Sequence, residues 1–113
     1  MRIENLTRHS LIVSDAREAR SFSDKLFGLM GKATLPPQCA LIIYDTNWIH
    51  TFWMRFALDL IYIDKQQRVV GLTTAIPPNR IDKPFWLAKH VIELNAGLIQ
   101  ASQTQLGDQL KFS

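Results

Sequence analysis

Cysteine is nearly missing from these 113 residues: Cys39 stands alone, so no internal disulfide can staple the fold and no paired-cysteine zinc motif exists. No Gly-rich phosphate loop follows a candidate strand and no His-Glu-x-x-His occurs, which removes the usual sequence support for nucleotide binding and zinc-peptidase chemistry. A metal site would have to gather Cys39, His9, His50 and His90 from separated segments, so neither a metal nor another cofactor is expected. Cys39 as a nucleophile with His50 as its base likewise lacks neighbours that would depress the thiol pKa. No stretch approaches the roughly 20 apolar residues of a membrane span, and Arg2, Glu4, Arg8 and His9 interrupt any apolar run near Met1, so the expected setting is the cytoplasm. Positive charge is slight and scattered: thirteen Lys and Arg against ten Asp and Glu leave +3, with no stripe suited to a phosphate backbone. Nucleic acid is therefore a disfavoured partner.

What is present is an ordinary globular mixture, 47% apolar and 20% charged, long enough for one core and read as a single domain over 1–113. Residues 2–13 are extended in character and predict a first strand. Ser14 and Asp15 offer N-cap oxygens, and Ala16, Ala19, Phe22, Leu26, Leu29 and Met30 recur at helical spacing, predicting an amphipathic helix of about four turns that Gly28, Gly31 and Pro36-Pro37 end. Ala40 to Tyr44 reads as a short covered strand. Ile49 to Ile63 is rich in aromatic and β-branched residues and predicts two strands joined by a bend at Ala57-Leu58-Asp59. Asp64 to Gln67 is a polar hairpin link to a return strand from Arg68 to Thr74, and Ala75 to Leu87, with three prolines, is a long loop. His90 to Asn95 predicts a strand with one clearly apolar side. A short helix over Leu98 to Gln103 and a last strand through Leu110 and Phe112 complete the chain. The fold class expected is α+β, predominantly β: a sandwich or barrel with one main flanking amphipathic helix.

The segment from Ile49 to Asp59 concentrates the chemistry, placing His50, Trp53, Arg55 and Asp59 in an otherwise apolar run where charges must be paired, exposed or functional. In an unbroken strand Arg55 and Asp59 would share a face about 13 Å apart at ~3.3 Å per residue, so a direct pair needs a bend between them. One reading has Arg55 or a turn donor holding Asp59. The other makes His50, Trp53 and Arg55 the floor of a pocket for an anionic or sugar-like group.

Four blocks in order, Gly28-Leu29-Met30-Gly31, His50 to Asp59, Val91 to Gly97 and Gly107-Asp108, resemble the bacterial and archaeal domain-of-unknown-function family numbered 192, in a branch marked by His50-Thr51-Phe52. The resemblance runs from about Ser14 to the end. It implies a compact β-rich sandwich or barrel with one flanking helix and brings no established activity. Ala57 stands where many relatives carry proline, which leaves the bend less rigid, and Trp53 stands where this branch often has glycine, which adds a ring near any pocket.

Glu93 and Asn95 share one side of their strand and are expected to face solvent or a shared polar cleft, solvent by a small margin. A meeting of Asp59 with Glu93 would allow acid/base work. Phe85 and Trp86 in the proline-bearing loop, with Trp48 and Trp53, offer aromatic surface beside Arg80 and Lys83, or else plug the end of the β core. The leading expectation is a binding or accessory module that engages an unknown small molecule or protein partner through His50, Trp53, Arg55, Asp59, Arg80, Trp86, Glu93 and Asn95. The alternatives are a hydrolase-like enzyme using His50 with Asp59 or Glu93, and a structural or regulatory protein.

Overall fold

The computed structural model describes residues 1–19, 35–52 and 54–113, and two β-sheets account for most of their regular structure. The smaller sheet has the order β2 (Ser10–Val13), β1 (Ile3–Asn5), β8 (Leu110–Phe112), all antiparallel. The larger has the order β3 (Asp15–Ala19), β4 (Cys39–Ile43), β7 (His90–Asn95), β5 (Leu58–Ile63), β6 (Val69–Ile76), parallel between β3 and β4 and antiparallel elsewhere. One short helix, α1 (Leu98–Ala101), follows β7. The predominantly β, α+β architecture expected from the sequence is what the chain adopts.

Side-chain alternation along β5 and β7 divides the core in two. Ile61, Ile63, Ile92 and Leu94 face the smaller sheet and pack with Ile3, Ile12, Val13 and Leu110, while Ile99 of α1 closes the end. Leu58, Leu60, Tyr62 and Val91 face the opposite way and pack with Leu35, Ile49, Met54, Phe56 and Phe85. A sheet pairs on one side with a sheet and on the other with irregular chain. Every residue of β5 is buried as a result.

Several expected elements differ. Residues 2–13 form two strands, because the chain reverses over 6–9 with His9 at φ 54 and β1 pairs back on β2. Residues 15–19, expected as the first turn of the long helix, are strand β3: Asp15 to Ala19 pair in register with Cys39 to Ile43, and this ladder overrides local helical spacing. The remainder of that helix, through Met30, falls on residues 20–34 and lies outside those described. Of the expected strand from Ile49 towards Ala57, the described residues form no strand, and His50 makes an isolated bridge with Ile81. The strand from His90 keeps its apolar side at Ile92 and Leu94, but its other side, with Val91 and Glu93, is buried as well, because β7 lies between β4 and β5.

Two carboxylates hold the sheets to their connections. Asp59 on β5 is buried, and its oxygens accept from the N–H groups of Ala75 (2.8 Å), Gly97 (3.0 Å) and Ile99 (3.0 Å). It thereby satisfies donors at the start of α1 that the helix cannot satisfy itself, next to Gly97 at φ 100, a conformation glycine adopts without strain. Asp108 accepts from Asn5 Nδ2 (2.9 Å), Arg8 Nε (3.0 Å) and the Gln105 N–H (2.8 Å), tying the first hairpin to the turn before β8. Burial alone would raise the Asp108 pKa, but the hydrogen bonds from Arg8, Asn5 and Gln105 and the Arg8 charge outweigh it and hold the carboxyl below its ordinary 3.8.

Gly71 on β6 lies under the ring of Phe85, where any Cβ would overlap ring carbons, so Gly71→Ala is expected to lower the unfolding free energy by about 1–3 kcal/mol in urea titrations. Asp59→Asn turns an amide group towards backbone donors and is expected to cost about 2–3 kcal/mol in the same measurement. Because the folded pKa of Asp108 is depressed, its contribution is present above the unfolded value and is lost as pH falls through the folded one. Denaturation followed from about pH 6 to pH 2 should therefore show a shallower acid loss in Asp108→Asn than in the wild type. Parallel curves would show that Asp108 carries none of the acid sensitivity.

Candidate functional site

The second face of the large sheet is covered by two stretches of irregular chain, described over residues 46–52 and 54–57 and over 77–89, held against each other by backbone hydrogen bonds. Phe85 N–H donates to Asn47 O (2.8 Å), Asp82 N–H to Ile49 O (2.9 Å), Thr51 N–H to Arg80 O (2.8 Å) and Asn79 N–H to Thr51 O (2.9 Å). Thr51 is the centre of this lacing. It is fully buried, its hydroxyl donates to Pro77 O (2.7 Å) and accepts from the Arg80 N–H (3.0 Å), so a stretch rich in proline finds partners it could not find in a ladder.

Asp82 anchors the second stretch to the sheet. Its Oδ2 accepts from the Tyr62 hydroxyl of β5 (2.6 Å) and the Thr73 hydroxyl of β6 (2.8 Å), while Oδ1 accepts from the Lys83 N–H (3.0 Å). Burial first, and then the Asp82 carboxylate, push the Tyr62 pKa above its ordinary value, so the phenol stays a donor. Phe85 packs on Tyr62 with ring centroids 4.3 Å apart, and Lys83 Nζ lies 5.3 Å from the Phe85 centroid. The buried end of this loop is thus pinned by a charge-assisted hydrogen bond and a ring stack.

Its outer end is apolar and exposed. Ile81 is 64%, Trp86 79% and Leu87 80% exposed, beside Trp48 at 46%. Asn47, Trp48, Ile81, Asp82, Pro84 and Trp86 line a crevice of about 330 Å³. On the other flank of Trp48 a second depression of about 310 Å³ is lined by Asp45, Thr46, Asn47, Trp48, Ala88 and Lys89. Asn47 and Trp48 are common to an apolar and a polar hollow. Lys89 pairs with Asp45 at 2.8 Å, and His90 Nδ1 accepts from the Asp45 N–H (3.1 Å). Burial, reinforced by Lys89 and opposed by Asp45, lowers the His90 pKa and keeps the imidazole an acceptor.

The sequence candidates separate on this frame. His50 joins the ring row, 6.3 Å from Trp48 and 4.8 Å from Phe52 between centroids, and bridges to Ile81. Arg80 and Trp86 sit on the facing stretch, exposed. Arg55 is exposed and makes no bond to Asp59, whose partners are backbone N–H groups. Trp53 lies outside the described residues. Asn95 makes a two-way amide clamp on Leu35, accepting from its N–H (3.0 Å) and donating to its carbonyl (2.9 Å).

Glu93, expected by a small margin to meet solvent, is instead buried, because β7 is an interior strand of the large sheet. Asp59 and Glu93 do not meet. Asp59 pairs across with Leu94 and faces the small sheet, whereas Glu93 pairs with Leu60 and faces the loop-covered side. The carboxylate dyad considered from the sequence is excluded by this parity. Neither hollow beside Trp48 is lined by Asp59 or Glu93.

Sequence reasoning overlooked Thr51 and Asp82 as the groups that hold the loops, and Ile81 and Leu87 as part of the exposed surface. The available signal was that Asp82 is the one acid among Arg80, Lys83 and Lys89 in a proline-bearing segment. Among the described residues no group of three or more His, Cys, Asp or Glu could hold a metal ion, and no helix is long and apolar enough to cross a membrane.

The comparisons with known proteins agree with this architecture. A UPF0127 protein of Pyrococcus horikoshii is 35% identical over 104 residues, covering 87% of each chain. A UPF0127 protein of Pyrococcus furiosus is 29% identical over 112 residues, covering 96% of each. A solved structure of a protein of unknown function from Novosphingobium aromaticivorans superposes with a TM-score of 0.75 at 18% identity, over 98% of this chain and 82% of that one, which is a likeness of fold. Residues 4–112 match the family model DUF192, described as an uncharacterized ACR, and the chain belongs to that family.

Proposed function

We propose that this protein is a binding module that works through the hollows on either side of Trp48, taking an apolar group of a small molecule or protein partner between Trp48 and Trp86. The observation that carries the reading is the exposure of Ile81, Trp86 and Leu87 together on a loop whose other end is fixed by Asp82 and Thr51. Exposed apolar side chains scattered singly are ordinary, but a contiguous group on a rigid support marks a contact surface. The polar hollow lined by Asp45, Thr46 and Lys89 would orient the ligand's polar part.

His50 and Arg80 contribute in this reading as flanks of the crevice, and Arg55 as an exposed cation on the neighbouring stretch. Asp59 and Asn95 serve by holding the frame. The setting inferred is the cytoplasm, where a lone half-buried thiol such as Cys39 stays reduced. Residues 1–113 are taken as one domain, supported by the family match over 4–112.

The test is a fragment titration of the isotope-labelled protein followed at the indole N–H resonances, using indole-sized apolar fragments and short proline-containing peptides. Binding fragments should shift Trp48 and Trp86 together. The shifts at Trp48 should fade in Trp86→Ala, whose own stability should stay within about 0.5 kcal/mol of the wild type because the ring is exposed. Shifts spread over the surface, or a Trp48 response untouched by the substitution, would remove the crevice as the recognition surface.

A further inference from the structure

We infer that the tip formed by Ile81, Trp86 and Leu87 docks on the surface of an anionic lipid bilayer. This rests on the reading of the tip as a recognition surface and supplies its partner. Ile81, Trp86 and Leu87 are 64%, 79% and 80% exposed, and Ile81 and Trp86 also form part of the wall of the crevice beside Trp48. An exposed group of aliphatic and indole side chains fits the headgroup and acyl boundary, where a tryptophan ring is at home, better than it fits water.

The charges around the tip select the kind of surface. Residues 77–89 carry Arg80, Lys83 and Lys89 and one acid, Asp82. That acid is turned inward, spent on Tyr62 and Thr73 of the sheet, so the cations are what this loop shows to solvent. Among the described residues Arg80 and Lys83 are in no ion pair, and Lys89 is matched by Asp45 on the adjoining stretch. Lys83 stands between Ile81 and Trp86 in the chain, with its ammonium 5.3 Å from the Phe85 ring centroid. Positive charge beside exposed apolar groups complements a layer of phosphate headgroups over hydrocarbon. The support under the tip is preformed, since Thr51, Asp82 and the backbone bonds between the two stretches fix it before contact, and docking need not order the loop.

A second copy of the chain could meet the same surface, and the experiment separates the two. Vesicles of phosphatidylcholine with phosphatidylglycerol, and vesicles of phosphatidylcholine alone, are titrated into the full chain while co-sedimentation and tryptophan emission are followed. The proposal expects partition into the anionic vesicles with a blue shift, weaker partition into neutral ones, and weakening by added salt. Trp86→Ser with Leu87→Ser should reduce partition by about tenfold or more. Lys83→Glu should reduce it on anionic vesicles by about fivefold or more and leave the small neutral-vesicle signal in place. All of these residues are exposed, so the variants should melt with the wild type.

Absence of partition, or partition that ignores the substitutions, overturns the proposal. So does a monomer–dimer equilibrium in sedimentation that the tip substitutions abolish while vesicles are ignored, which would assign the surface to a second copy. If vesicles are ignored and the fragment shifts at Trp48 and Trp86 persist, the lipid assignment alone falls. If both are missing, the recognition surface falls with it.

Discussion

Strand β5 is buried along its whole length, and a sheet whose central strands carry apolar side chains on both faces has to be covered twice. Most of the architecture follows from that constraint. One cover is regular: β1, β2 and β8 lay Ile3, Ile12, Val13 and Leu110 over the large sheet. The other is irregular, with Ile49, Met54, Phe56 and Phe85 from the two loop stretches together with Leu35, and it buries Leu58, Leu60, Tyr62 and Val91. Irregular chain cannot satisfy its own backbone, so this second cover depends on side chains that a ladder would not need. Thr51 and Asp82 are those side chains, and each reaches several groups at once.

The division into two faces also decides which polar groups can act together. Asp59 looks towards the small sheet and is consumed by the donors of Ala75, Gly97 and Ile99, while Glu93 looks towards the loops. Neighbouring strands brought the two residues close in sequence register and the pleat sent them apart. Asp108 is a third buried carboxylate, placed at the opposite seam between the first hairpin and β8. Asp59, Asp82 and Asp108 therefore fasten connections to sheets, while Asp45 stays at the surface, paired with Lys89 beside Trp48.

The exposed apolar surface has a mechanical origin. A loop with Pro77, Pro78 and Pro84 cannot lie flat as a strand, so once Phe85 has packed over Gly71 and Asp82 has bonded to Tyr62, the residues on either side are directed outward. Ile81, Trp86 and Leu87 are exposed because their neighbours are fixed inside. The polar hollow at Asp45 and Lys89 shares Asn47 and Trp48 with the crevice lined by Ile81 and Trp86, which makes one composite surface of two dissimilar hollows.

Period and composition were enough to determine the β-rich class, the strand around Ala40 to Ile43, the hairpin from β5 to β6, the proline-bearing loop, and the last helix and strand, because in those stretches local preference and tertiary pairing agree. Residues 15–19 went the other way, since a parallel partner at Cys39 to Ile43 outweighs helical spacing in a segment this short. The run from Ile49 to Phe56 looks like a strand for the reason it is valuable as a cover: Ile49, Met54 and Phe56 pack on the sheet, while its described residues make a single bridge, from His50 to Ile81, and no ladder. Sequence alone named His50, Arg80 and Trp86 as residues of interest by their chemistry. Only the tertiary structure decided that Asp59 and Glu93 face apart, that Asp82 turns inward and that Trp86 turns out, because which face a side chain takes depends on strands and loops far away in the chain.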